Sequence, residues 1–414
     1  MSSRIILHSD MNNCYASIEQ KLNPALVGKP MIVCGSRAER HGIVLAKSME
    51  AKACGIVTGE PIWQAHEKCP GLVEVPPHFD AYLSFSRAAR RIYAQYTDLV
   101  EPYGLDECWL DVTGSTRLFG SGEEIAEKIR TEIREKLGIT VSIGVSFNKI
   151  FAKIGSDLKK PDAVTVISQQ NFRQKLWPLP VGTLWGVGPA TERRLVKFGI
   201  RTIGQLAMAD RDAVSRAVGK GGAALCGYAA GEDCSPVMPL GWRDPIKSVG
   251  HGMTATRDLV NNEEVWLMIY HLAQDVSHRL NAAGMAAEGV SVAVRDQSMG
   301  YAEFQGKTPV PVLAPLSIAK AAHRLFTGRY DWSRPVRAVT VRAINLCPQG
   351  QPVQTSLFAS PLVEQRSERL FQTVEQLRGR YGKNAVMAAS LCQRIAAAPH
   401  RENKIQLPGF GVRH

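Results

Sequence analysis

Ile6-Leu7-His8-Ser9-Asp10-Met11-Asn12-Asn13-Cys14-Tyr15-Ala16-Ser17-Ile18-Glu19 is the stretch that decides the fold. The run Ile5-Ile6-Leu7 reads as a short buried strand that ends at Ser9-Asp10. Trp109-Leu110-Asp111-Val112 lies in a second strand, entered through Asp106-Glu107 and stopped by Gly114-Ser115. Ile125, Ile129, Ile133 and Leu137 fall four apart and predict one helical stripe, which Gly138 stops. Val141, Ile143 and Val145 then alternate with small residues as a third strand. Strands joined across helices predict a mixed sheet with helices on one face.

If the first two strands are neighbours, Asp10, Asp106 and Glu107 converge at one sheet edge. Three carboxylates held together are costly unless a cation neutralises them. Hard oxygen donors without histidine favour Mg²⁺, which keeps waters and takes substrate phosphates as further ligands. Two such ions about 4 Å apart would clamp the attacking and leaving oxygens of an in-line phosphoryl transfer. Asp-Glu at a strand end also has a plainer reading, as a surface cap.

Composition sets the outer bounds. The chain has 414 residues, 45% of them hydrophobic and 21% charged, as in soluble globular proteins, and the length suits two to four domains. No window approaches the roughly 18 uninterrupted apolar residues of a membrane span. Ile5-Ile6-Leu7 is too short for a signal peptide's apolar region, so secretion and membrane insertion are not expected. Nine scattered cysteines without C-x-x-C spacing read as reduced thiols of a cytosolic protein. The formal net charge of +12 points to a polyanionic partner, and without a basic amphipathic stretch that partner is nucleic acid rather than membrane.

Residues 24–75 are richer in Gly and Pro and read as an insertion. From 169 to 240 the pattern is helical with glycine punctuation, and Pro236 to Pro245 reads as a linker. Between Ser248 and Leu346, strands (Gly289–Arg295, Val336–Ile344) alternate with helices (Glu263–Leu280, Ser317–Leu325). Residues 347–360 read as flexible, before a last helix over Glu364 to Tyr381.

Three motifs together carry a family resemblance. The opening stretch resembles the first motif of the Y-family, translesion DNA polymerases. Tyr103-Gly104-Leu105-Asp106-Glu107-Cys108-Trp109-Leu110-Asp111-Val112-Thr113 resembles the second, and Ser142 to Lys153 with Lys160-Pro161 the third. The branch it resembles lies near the bacterial DNA polymerase IV and UmuC-like proteins. The resemblance implies an α+β right hand: a ferredoxin-like palm (1–23, 76–168), small fingers (24–75), a helix–hairpin–helix thumb (169–240) and an α/β little finger (246–346). Residues 347–414 would be a flexible tail carrying the terminal helix.

Roles follow from the same resemblance. Asp10, Asp106 and Glu107 would be the catalytic, metal-binding carboxylates, with the Met11 carbonyl on the nucleotide-side metal. Backbone amides of Asn13, Cys14 and Tyr15 would hold the triphosphate at a helix start. Tyr15 matches the steric gate that excludes a ribose 2′-hydroxyl, and Lys160 would reach the triphosphate. Two departures stand out. Gly104 replaces a common serine, and the usual Thr-Ala-x-Tyr-Glu-Ala-Arg stretch reads Ala46-Lys47-Ser48-Met49-Glu50-Ala51-Lys52, which keeps charge at Lys52 and loses the tyrosine.

Leu184-Trp185-Gly186-Val187-Gly188-Pro189 begins a helix–hairpin–helix, and Gly219-Lys220-Gly221-Gly222 makes a second glycine turn. Glycines let backbone amides approach DNA phosphates closely, though either turn could also simply cap a helix. Ser248 to Thr254 resembles the opening little-finger strand, whose arginines (Arg257, Arg295, Arg342) could meet phosphates. Gln354-Thr355-Ser356-Leu357-Phe358 resembles the peptide by which bacterial polymerases bind the sliding clamp: Gln354 sets register while Leu357 and Phe358 enter a pocket. The expected protein is a monomeric, cytoplasmic, template-directed polymerase without proofreading, of low fidelity, using two Mg²⁺, dNTPs, primer–template DNA and a clamp. The rivals are a catalytically silent DNA and clamp adaptor of the same family and a nucleotidyl cyclase.

Overall fold

The computed structural model describes residues 4–37, 40, 42–351 and 361–391. The chain divides into two compact units: Ile43–Arg243 with the stretch up to Gly35, and Asp244 onward with the short segment Ser36–Gly42.

The first unit begins with β1 (Ile6–Met11) and α1 (Cys14–Leu22), as the opening stretch predicts. Next come β2 (Met31–Cys34), β3 (Val44–Lys47), α2 (Met49–Ala53), α3 (Ile62–Lys68) and β4 (Val73–Val75). These form a three-stranded sheet, β3-β2-β4, over its own small core of Ile32, Val44, Ile56 and Ile62. Then follow α4 (Phe79–Tyr93), β5 (Val100–Tyr103), β6 (Glu107–Asp111), α5 (Thr116–Phe119), α6 (Gly122–Leu137), β7 (Val141–Ser146), α7 (Lys149–Leu158) and β8 (Val164–Ile167). Helix α6 starts at a reciprocal capping box between Ser121 and Glu124 and ends at Gly138 with φ +68°, so both ends are written in local sequence.

The main sheet runs β5-β6-β1-β7-β8, antiparallel except for the parallel β7–β8 pair. Helices cover both faces, which corrects the expectation of one. Leu7 and Met11 pack with Ile125, Ile129 and Tyr93 of α4 and α6, while Ile6 and Trp109 pack with Ala152 of α7. Every residue of β1 and β7 is accordingly buried, the mark of a sheet covered on both sides.

Helix α7 rests directly on β7 because position 144 has no side chain. A Cβ on Gly144 would lie 1.9 Å from the Ala152 carbonyl oxygen and 2.6 Å from the Ser156 nitrogen. Both obstacles are backbone, so the helix itself would have to lift. Gly144→Ala is expected to cost ~3 kcal/mol, about 10 °C in Tm, measured by thermal unfolding. An unchanged Tm would refute this account of the contact.

The helical stretch comprises α8 (Phe172–Leu176), α9 (Pro189–Lys197), α10 (Ile203–Ala207), α11 (Arg211–Val218) and α12 (Gly222–Ala230), packed around Leu184, Leu195, Leu206 and Val214.

The second unit holds β9 (Ser248–Leu259), α13 (Asn262–Ala282), β10 (Met285–Asp296), β11 (Tyr301–Val312), α14 (Pro315–Thr327), β12 (Val336–Pro348) and α15 (Pro361–Tyr381). Its antiparallel sheet runs β11-β10-β12-β9, and α13 and α14 pack on it around Met268, Leu272 and Phe326. The terminal helix expected over Glu364 to Tyr381 forms over Pro361–Tyr381 and is docked here. Phe371 is buried in the unit's core, Glu364 accepts a 2.6 Å hydrogen bond from Ser317, and Glu375 pairs with His278. The peptide Gln354, Leu357 and Phe358 lies outside the described residues.

Candidate active site

Strands β1 and β6 are neighbours, so the carboxylates do share one end of the sheet. Asp10 stands opposite Glu107 in the ladder, and directly opposed residues project from the same face. That face is the one α7 covers. Asp106 sits just before β6, and its carbonyl accepts a 3.0 Å hydrogen bond from the Met11 amide. Backbone therefore ties Met11 and Asp106 together, whatever their side chains do.

Each carboxylate is answered differently. Asp10 is buried, and its Oδ2 accepts from the Lys160 ammonium at 2.8 Å. Burial raises the Asp10 pKa against the pull of Lys160. Burial works to lower Lys160, but the hydrogen bonds and charges of Asp10 and Asp157 together raise it. Burial also works to raise Glu107, but the hydrogen bond from His8 and the charges beside it, Lys153 among them, hold its carboxyl down at about 2. Asp106 is compensated less: burial and then the charges of Glu107 and Asp10 push it up to about 6, against the weaker pull of a backbone hydrogen bond and of Lys153.

The residues present fit a divalent cation. The donors are hard oxygens, two ammonium groups already lean on them, and Asp106 carries the strain of unneutralised charge. Among the described residues no group of three His, Cys, Asp or Glu forms a ready-made cage. Such an open arrangement suits a hydrated ion that takes substrate oxygens as its remaining ligands.

Asn13 precedes α1 with φ +48°, a left-handed turn that Asn tolerates, and starts the helix beside Asp10. Cys14 is buried, its thiol 3.8 Å from the Met11 sulfur. Tyr15 is half-buried and stacked on Tyr82, with ring centroids 4.3 Å apart and planes 8° from parallel. Phe79 meets the Tyr15 ring edge-on at 6.0 Å. Burial, and then the charge of Asp106, push the Tyr15 hydroxyl up to about 12. Tyr82 donates to the buried Glu19, which also pairs with His78 at 2.9 Å. Tyr15 thus has a rigid aromatic backing.

Lys52 is not brought to the carboxylates by any contact among the described residues. It is exposed on α2, and its charge adds to burial in lowering the pKa of Lys47. Gly186, Gly188, Gly219, Lys220 and Gly221 are all exposed. Gly188 precedes α9; Gly219 ends α11 with φ +96° and Gly221 precedes α12. The capping reading of Gly219 therefore holds, and it leaves the adjacent turn at the surface. In the second unit, Arg257 pairs with Glu264 at 2.7 Å and Arg342 with Glu303 at 3.3 Å, whereas Arg295 is exposed.

Sequence reasoning missed His8, Lys153 and Ser156. Lys149, Lys153 and Ser156 fall at i, i+4 and i+7, one face of α7, and that spacing was the available signal.

The comparisons with known proteins agree with this arrangement. Residues 9–157 match the impB/mucB/samB family, 170–200 that family's HHH motif, and 246–357 its C-terminal domain. With a catalytic-type sheet, a hairpin segment and a separate α/β unit, the chain belongs to the Y-family DNA polymerases. Among its relatives, DNA polymerase IV of Acetivibrio thermocellus is 45% identical over 390 residues, covering 94% of this chain and 98% of that one. DNA polymerase IV 1 of Bacillus subtilis is 37% identical over 389 residues, 93% of this chain and 92% of the relative. A solved Y-family DNA polymerase chimera of Dbh and Dpo4 superposes with a TM-score of 0.74 at 26% identity, covering 83% of this chain and all of that one.

Proposed function

We propose that Asp10, Asp106 and Glu107 are the catalytic carboxylates of a DNA-directed DNA polymerase that extends a primer across damaged template. The observation that carries this is the meeting of three carboxylates and Lys160 at the end of β1, where burial and the two neighbouring carboxylates hold Asp106 up at about 6. Two Mg²⁺ ions are the proposed cofactors, held by the three carboxylates and the Met11 carbonyl. When bound, they would lower the pKa of the primer 3′-hydroxyl and neutralise the charge developing on the transferred phosphoryl group.

The rest of the work falls to the chain. Lys160, long enough to swing from Asp10, holds triphosphate oxygens, and the amides of Asn13, Cys14 and Tyr15 donate to them at the start of α1. Tyr15 fills the place of a ribose 2′-hydroxyl. Lys52 adds charge from the fingers. Gly186, Gly188 and the Gly219-Lys220-Gly221 turn hold DNA phosphates through exposed amides. The domain scheme is palm 1–23 and 76–168, fingers 24–75, thumb 169–240 and little finger 246–346, the last now extended by α15.

The testing experiment is primer extension on a defined template with Mg²⁺ and dNTPs. Template-matched addition is the expected result. DNA binding without extension would replace this reading with the adaptor, and a nucleotidyl cyclase would make cyclic product without any template.

Gln354, Leu357 and Phe358 are proposed as the sliding-clamp peptide. A synthetic peptide of residues 351–360 is expected to bind a bacterial clamp by fluorescence anisotropy, and Phe358→Ala to abolish binding, since an aromatic anchor carries much of such an interface. No binding by the parent peptide would remove the assignment.

A further inference from the structure

Glu107 is gripped by one oxygen only. His8 Nε2 lies 3.0 Å from Oε2, and the Lys153 ammonium is bonded to the same Oε2. No donor among the described residues bonds Oε1. The two grips differ in kind. Lys153 ends a flexible four-carbon chain that can withdraw when a stronger cation arrives. The His8 ring cannot: it is wholly buried and packed edge-on against Trp109 at 5.0 Å.

The ring's orientation is fixed from its other side. His8 Nδ1 is 2.8 Å from the Ser156 hydroxyl, which is also wholly buried and lies 2.7 Å from the Lys153 carbonyl. A carboxylate only accepts, so Nε2 must carry a proton. The single Ser156 hydroxyl proton is directed at the Lys153 carbonyl, and in the neutral ring it turns to Nδ1 to satisfy that nitrogen. Burying an imidazole is costly unless both nitrogens are satisfied, and an aliphatic side chain would fill this place without that demand. The polar residue is therefore explained by what it holds.

Resting on the carboxylate reading above, we propose that His8, its ring held from behind by the Ser156 hydroxyl, is the positioning residue that fixes Glu107 through Oε2 and leaves Oε1 to face the metal. Lys153 is the exchangeable partner and His8 the permanent one. Hydrogen-bond partners of this kind behind a ligand commonly govern metal affinity and activity by about 10–100-fold.

The test uses the full chain with primer–template, comparing wild type, His8→Leu, His8→Gln and Ser156→Ala. Mn²⁺ affinity is read by electron paramagnetic resonance in a complex with dNTP and a dideoxy-terminated primer; kcat and the metal concentration giving half-maximal rate are read on an extendable primer. His8→Leu is expected to weaken Mn²⁺ binding by about 10–100-fold with DNA affinity unchanged. His8→Gln keeps an N–H donor within reach of Glu107 and should restore most of the loss. Ser156→Ala should give a smaller loss, and stands in if His8→Leu fails to fold. Wild-type Mn²⁺ affinity in both His8→Leu and Ser156→Ala would overturn the proposal, as would equal losses in the Gln and Leu variants. Failure of the wild type to extend a primer would instead sink the polymerase reading.

Discussion

Asp106→Ala is expected to lower kcat for primer extension by at least about 10³-fold while leaving primer–template affinity within about twofold. The loss corresponds to roughly 4 kcal/mol of transition-state charge stabilisation, the scale on which a bound metal acts on a phosphoryl group. Asp106 is singled out because Lys160 and Lys153 already answer Asp10 and Glu107, whereas Asp106 holds its charge against burial and two like neighbours. Removing it should also relieve that repulsion. The variant's unfolding midpoint without divalent metal should therefore equal or exceed that of the wild type, and the stabilisation the wild type gains from added Mg²⁺ should be lost. Extension at the wild-type rate would displace Asp106 from the reaction altogether.

Tyr15→Ala is expected to lower discrimination against ribonucleotides by at least about 100-fold, measured as the ratio of kcat/KM for dNTP and rNTP opposite one template base. A hydroxyl is excluded by a ring only if the ring cannot retreat, and here retreat is blocked. Tyr82 stacks behind Tyr15 and Phe79 closes its edge, contacts worth about 0.5–1.5 kcal/mol per pair beyond the area they bury. Tyr15→Phe keeps the stack and should keep the discrimination, which separates the ring from its hydroxyl. Unchanged sugar selectivity in Tyr15→Ala would end the gate assignment.

Much of this was legible in order along the chain, for reasons that differ by element. β1 announces itself through its compact apolar run and β7 through apolar residues alternating with small ones; α6 does so through its four-residue isoleucine stripe and its cap. The carboxylates were legible as strand-end residues, but whether they met depended on the β1–β6 pairing, which no local pattern encodes. β11 escaped notice. It is the edge strand of the second sheet, with exposed Glu303, Gln305 and Lys307 alternating along it and Pro309 and Pro311 near its end, residues an edge tolerates and a central strand does not. The helix on the second face of the main sheet, α7, went unseen because its licence is an absence, the missing side chain of Gly144. His8 was passed over as part of a strand, since its value lies in partners about 100 and 150 residues away.

The docking of α15 on the second unit also changes the mechanics of recruitment. Gln351 and Pro361 belong to the same compact unit, so the proposed clamp peptide runs between two moorings rather than hanging from one. Ten residue steps span at most about 35 Å, and a loop fixed at both ends can carry its midpoint no farther than about half of that, ~17 Å, from the line joining the moorings. A ring that bound this peptide would be joined to the second unit from both ends of the peptide.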